Sequence, residues 1–79
     1  MRVLYFAQAR LAVGRSEETL EPPAPLSVED LWKELIHRHR DLSHLRPSCR
    51  LARNGKFVDP DEKLLREDEI AVLPPVSGG

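Results

Sequence analysis

The spacing of apolar residues changes period along this chain, and each change marks an element. Arg2-Val3-Leu4-Tyr5-Phe6-Ala7 is rich in β-branched and aromatic residues and has no turn former, which predicts a strand beginning at residue 2. Ala9, Leu11, Ala12 and Val13 predict a short helical turn closed by Gly14. Glu17 to Glu21 predicts a second strand folded back on the first as a hairpin. Pro22, Pro23 and Pro25 then stop it.

Ser27 opens the clearest element. It is a good N-cap, and Glu29 and Asp30 place negative charge at the positive end of a helix dipole. Val28, Leu31, Trp32, Leu35, Ile36 and His39 recur at three- and four-residue steps and make one apolar stripe. Lys33, Glu34, His37, Arg38 and Arg40 fill the other faces. A helix with one buried side must lie on a sheet. Pro47 ends the region that follows.

Cys49 to Arg53 predicts a strand, and Asn54-Gly55 is the strongest short hairpin signal, suited to a type I′ turn. Lys56-Phe57-Val58 is the short return strand, broken by Asp59-Pro60-Asp61. Leu64 and Leu65 are apolar residues in a charged loop, expected to plug the base of the core. Glu67-Asp68-Glu69 reads as a solvated loop leading into a last strand, Ile70 to Leu73, which Pro74 and Pro75 terminate. The order predicts an α+β protein of the β-grasp (ubiquitin-like) type. It has a mixed sheet of four to five strands with one main helix packed on one face. Residues 1–73 would form the domain, and residues 74–79 an extended C-terminal tail.

Composition narrows the function. Seventy-nine residues are near the lower limit for a self-supporting core, so a deep pocket ringed by several catalytic side chains is hard to accommodate. Such a chain is expected to present a surface or an end to a larger partner. Twelve basic and thirteen acidic residues nearly cancel, and the basic ones form no run, so no nucleic-acid partner is indicated. No apolar stretch approaches the roughly 20 residues of a membrane span, and the N-terminus lacks a signal-peptide layout. One cysteine, Cys49, allows no internal disulfide and fits a reducing cytoplasm.

The C-terminal run Pro74-Pro75-Val76-Ser77-Gly78-Gly79 carries the chemistry. Two prolines favour extended geometry and direct the chain out of the sheet. Six residues at ~3.3 Å each reach roughly 20 Å. Gly78 and Gly79 lack a Cβ and suit a narrow channel. The terminal carboxylate, with a reference pKa of about 3.3–3.7, is ionised at neutral pH. It can attack the α-phosphate of ATP to form an acyl-adenylate, which is open to a sulfur or nitrogen nucleophile. No phosphate-binding glycine loop, zinc motif or catalytic triad accompanies the tail. This chain is therefore expected to bind no cofactor or metal itself, and ATP to be held by a partner.

The segments Val3-Leu4-Tyr5-Phe6-Ala7-Gln8-Ala9-Arg10, Ala12-Val13-Gly14, Asn54-Gly55 and Asp68-Glu69-Ile70-Ala71-Val72-Leu73, with the closing Pro74-Pro75-Val76-Ser77-Gly78-Gly79, resemble the small, sulfur-carrier subunit of molybdopterin synthase. Glu67 departs from the pattern, standing where the family often has a turn glycine. The resemblance implies that an E1-like adenylyltransferase activates the Gly79 carboxylate with ATP and magnesium, and that a sulfur donor protein converts it to a thiocarboxylate. It further implies that the tail enters the large synthase subunit and gives its sulfur to cyclic pyranopterin monophosphate. The complex would be a heterotetramer with its catalytic residues on the large subunit. Rival readings are a carrier for thiamine, cysteine or transfer-RNA thiolation, a ubiquitin-like protein modifier, and a plain interaction module.

Four residues are candidates for the partner interface. Phe6, Phe57 and Leu73 are expected on strands sharing the sheet face opposite the helix, with Arg10 at its polar rim, positions the family uses to dock its large subunit. Phe6 and Leu73 could equally be core residues. His37 and His39 lie about 200° apart around a helix and cannot chelate one ion. His39 is expected to end the apolar stripe, His37 and His44 to be solvated, and Cys49 to be a small buried apolar residue.

Overall fold

The computed structural model describes residues 1–75. Strand β1 (Arg2–Tyr5) is followed by helix α1 (Ala7–Val13) and strand β2 (Glu17–Thr19). The two-residue strand β3 (Leu26–Ser27) leads directly into helix α2 (Val28–Arg38). Two 3₁₀ turns, Arg40–His44 and Arg46–Ser48, precede β4 (Arg50–Arg53) and β5 (Lys56–Phe57). The short β6 (Lys63–Leu64) and the last strand β7 (Glu69–Leu73) complete the fold.

Five strands form one sheet in the order β2-β1-β7-β4-β5, with β7 parallel to β1 and antiparallel to β4. The chain's final strand is thus its central one, inserted between the first strand and the second hairpin. Helix α2 covers one side. Together these features make a β-grasp, with the five-stranded mixed sheet the sequence pattern predicts.

Local chemistry sets most boundaries as expected. Ser27 caps α2 by accepting the Asp30 amide at 3.0 Å. Gly14 closes α1 in the left-handed conformation, φ 83°, and its amide reaches Arg10 O. Asn54 and Gly55 both take positive φ, 50° and 88°, as a type I′ turn requires.

The core lies between α2 and the sheet. Leu31, Trp32 and Leu35 meet Val3, Tyr5, Leu51, Ile70 and Val72, all buried. Fully burying one such side chain contributes about 1.5–3 kcal/mol before entropy is counted.

Two expectations need correction. Leu64 is not in an irregular loop but in β6, which pairs antiparallel with β3, Leu26 opposite Leu64. A two-residue strand leaves no alternation to read. The pairing still buries Leu64 completely, while Leu65, one step along, faces outward and is 38% exposed. Asp68, expected in a solvated loop, is 6% exposed. It accepts the Leu65 amide at 2.8 Å and the Asn54 side-chain amide at 3.1 Å, and its own amide donates to Leu65 O at 3.0 Å. That turn contains Glu67 yet needs no positive φ, so glycine is not required there.

Candidate functional site: the open sheet face and the tail root

Side chains alternate across a strand, and the register decides which share a face. Val3, Tyr5, Ile70, Val72 and Leu51 point to α2. The intervening positions therefore form the uncovered face. Leu4 stands opposite Ala71, Ala71 opposite Ala52, and Ala52 opposite Phe57, making one row across four strands. Arg50 stands opposite Leu73 in the next row towards the tail. This face is built of small and apolar side chains at its centre, and Phe57 is 57% exposed at its edge.

The four proposed interface residues separate. Phe57 and Leu73 occupy the uncovered face, on β5 and β7 as expected, and neither belongs to the buried core cluster. Phe6 is not on a strand. It is the extended residue just past β1 that caps α1, because Ala7 takes φ 50° and swings the chain out of the sheet. An alanine there sits in a conformation costing roughly 1–2 kcal/mol. Phe6 is 44% exposed, so it too lies outside the core. Arg10 is exposed on α1, which begins at the end of β1. Since Tyr5 pairs in parallel with Val72, that is also the end of the sheet where β7 finishes.

Pro74 and Pro75 follow β7 without joining any hydrogen-bonded element, Pro74 half-buried and Pro75 exposed. Val76, Ser77, Gly78 and Gly79 lie outside the described residues. The root of the tail thus emerges from the central strand, flanked by Tyr5 and Leu51, the partners of Val72 on either side.

Against this geometry, a family model of the ThiS family matches residues 3–79. The chain belongs to the ThiS family. A molybdopterin synthase sulfur carrier subunit from Chlamydomonas reinhardtii is 38% identical over 81 residues, covering 100% of this chain and 98% of that protein. One from Homo sapiens is 38% identical over 82 residues, covering 100% and 93%. Among solved structures, SAMP1 from Haloferax volcanii, a small archaeal modifier protein, superposes with a TM-score of 0.86 at 26% identity, covering 100% of this chain and 98% of that one.

In this ThiS-family chain the sequence reading missed one face residue, Arg50. Its guanidinium carbon lies 3.6 Å from the centroid of the Phe57 ring. The signal was available in the alternation of Arg50 with Ala52, but an isolated arginine at a strand start carries no motif. Arg2, on the same face, is closed by Glu17 at 2.8 Å and Glu69 at 3.0 Å, which holds the Glu17 carboxyl below its usual range.

His39 and Cys49 have structural roles. His39 does not merely end the apolar stripe, because its Nε2 lies 2.7 Å from the buried Glu18 carboxylate, which also accepts the Tyr5 hydroxyl at 2.5 Å. Cys49 is half-buried just before β4, and burial pushes its thiol up. Among the described residues no cluster of His, Cys, Asp or Glu is arranged to hold a metal ion, and no helix is long and apolar enough to cross a membrane.

Proposed function

We propose that this chain is the sulfur-carrying small subunit of a molybdopterin synthase. The observation that carries the reading is full-length identity of 38% to relatives that bear this name, over a sequence ending in Gly78-Gly79. The β-grasp supports it mechanically. The central strand, held by ladders on both sides, anchors a tail that must be inserted into partners and withdrawn without unravelling the domain.

In this mechanism the Gly79 carboxylate oxygen attacks the α-phosphorus of ATP, held with magnesium by an E1-like adenylyltransferase, and pyrophosphate leaves. A sulfur donor protein then supplies sulfur at the oxidation level of sulfide, which attacks the acyl carbon and displaces AMP, leaving a thiocarboxylate. Pro74 to Gly79 enter the large synthase subunit, whose residues catalyse transfer of the sulfur to cyclic pyranopterin monophosphate. The open face, with Phe57 and Leu73, and the adjoining Phe6 and Arg10 dock that subunit. The setting is the cytoplasm.

Reconstitution tests this directly. The thiocarboxylated chain with a large subunit is expected to convert cyclic pyranopterin monophosphate to molybdopterin, and a chain lacking Gly79 to yield none. Product formation without Gly79 contradicts the reading.

The likeness to a small archaeal modifier protein supports a second reading, in which Gly79 is joined to lysines of other proteins. Conjugate ladders that vanish on deleting Gly79 would favour it.

A further inference from the structure

The uncovered sheet face is electrically uneven. At the end away from the tail, Arg2 is held by Glu17 and Glu69, so its charge is satisfied within the chain. At the tail end stands Arg50, across the β4–β7 ladder from Leu73. Among the described residues it has no ion-pair partner and no side-chain hydrogen bond, whereas Arg2, Arg38, Arg46 and Arg53 are paired with carboxylates. Arg10, at the same end of the sheet, likewise has no ion-pair partner among the described residues.

Arg50 is nevertheless positioned. Its guanidinium lies over Phe57, at 3.6 Å from the ring centroid. Stacking uses the face of the guanidinium and leaves its N–H edge available, in the fork geometry that matches a carboxylate. A side chain ordered before binding loses less freedom when it binds. The result is a pre-set cationic fork at the margin of an apolar patch, beside the strand that carries the tail.

We infer that Arg50, held over Phe57, is a specificity residue of the docking face that pairs with a carboxylate side chain of the large subunit, beside the opening that receives the tail. This rests on the sulfur-carrier reading and adds to it the chemistry by which the partner is selected. Leu73 and the row Leu4, Ala71, Ala52 supply sequence-tolerant apolar contact. Arg50 supplies the charged contact, which steers association and rejects a partner presenting a cation there.

The test is association of the full chain with a purified large subunit, measured by stopped flow between roughly 0.05 and 0.3 M salt. Arg50→Glu is expected to weaken binding at least about tenfold, mainly through slower association, and to flatten its salt dependence. Arg50→Lys should recover only part of the loss, because lysine has neither the fork nor the planar stack. Lys33→Glu, an equal charge change on α2 across the sheet, is expected to have under about a twofold effect. Arg50→Gln keeps the stem over the ring and serves if the reversed charge perturbs folding. Equal rates and salt slopes for the unmodified chain and the Arg50 variants would overturn the assignment while leaving the carrier reading intact. Failure of the unmodified chain to bind any large subunit would instead overturn the carrier reading, and this assignment with it.

Discussion

The Tyr5 hydroxyl donates a 2.5 Å hydrogen bond to the Glu18 carboxylate, and both groups are buried beneath α2. Burial pushes Glu18 up, but hydrogen bonds from Tyr5 and His39, with the nearby charges of His39 and Arg38, outweigh it and hold the carboxyl below its usual range. A carboxyl depressed in the folded state stabilises the fold above its unfolded pKa, about 4.3, and that stability is lost as pH falls through the lower folded value. Glu18→Gln is therefore expected to flatten the acid limb of stability against pH. Tyr5→Phe should cost about 1.5–3 kcal/mol at neutral pH, since the lost bond is to a charged acceptor. Urea unfolding across the acid range checks both, and an unchanged acid limb in Glu18→Gln contradicts the account.

Asn54 joins the second hairpin to the tail strand. Its side chain donates to Asp68 at 3.1 Å and accepts the Glu69 amide at 2.9 Å, while its backbone sits at φ 50°. Asn54→Ala loses both bonds and the tolerance for that φ, an expected cost of about 1–3 kcal/mol. Asn54→Gly keeps the φ and should recover part of it. Thermal unfolding distinguishes the two.

Leu64 and Leu65 are neighbours with opposite environments. Leu64→Ala opens a cavity in the core and is expected to cost about 2–5 kcal/mol, whereas Leu65→Ala should stay below about 1 kcal/mol. Comparable losses at both positions would show that the β3–β6 pairing is not what buries Leu64.

The elements legible in the sequence were those whose signals are local and repeated. The capped, striped helix after Ser27, the Asn54-Gly55 turn and the Pro-bounded last strand all carry several residues that agree. What was hidden depends on distant partners. Glu18 carries no signal of its own within Glu17 to Glu21, because its burial follows from Tyr5 and His39 meeting it across the fold. The β3–β6 ladder joins two dipeptides far apart in the chain. Phe6 reads as a strand residue because nothing in Phe6-Ala7 announces that the alanine takes positive φ. For the site, Phe57 and Leu73 follow from strand alternation together with the family resemblance. Arg50 emerged only when β4 and β5 were paired and brought its guanidinium over Phe57.

On the uncovered face, Leu73→Glu and Phe57→Glu are expected to leave the unfolding midpoint within a few degrees of the unmodified chain, since neither residue belongs to the core cluster. Each is expected to weaken association with a large synthase subunit by about 10- to 100-fold, the loss typical of a central contact. Calorimetric titration measures this. Unchanged affinity in both would move the docking site off this face.

In the proposed function the Gly79 carboxylate carries sulfur. Intact mass of the chain after incubation with ATP, magnesium, an E1-like adenylyltransferase and a sulfur donor reads that modification. The predicted result is the mass gain of one oxygen replaced by sulfur, localised to the C-terminal peptide and absent when Gly79 is deleted. An unchanged mass, with an adenylyltransferase shown to be active on its own carrier, contradicts it.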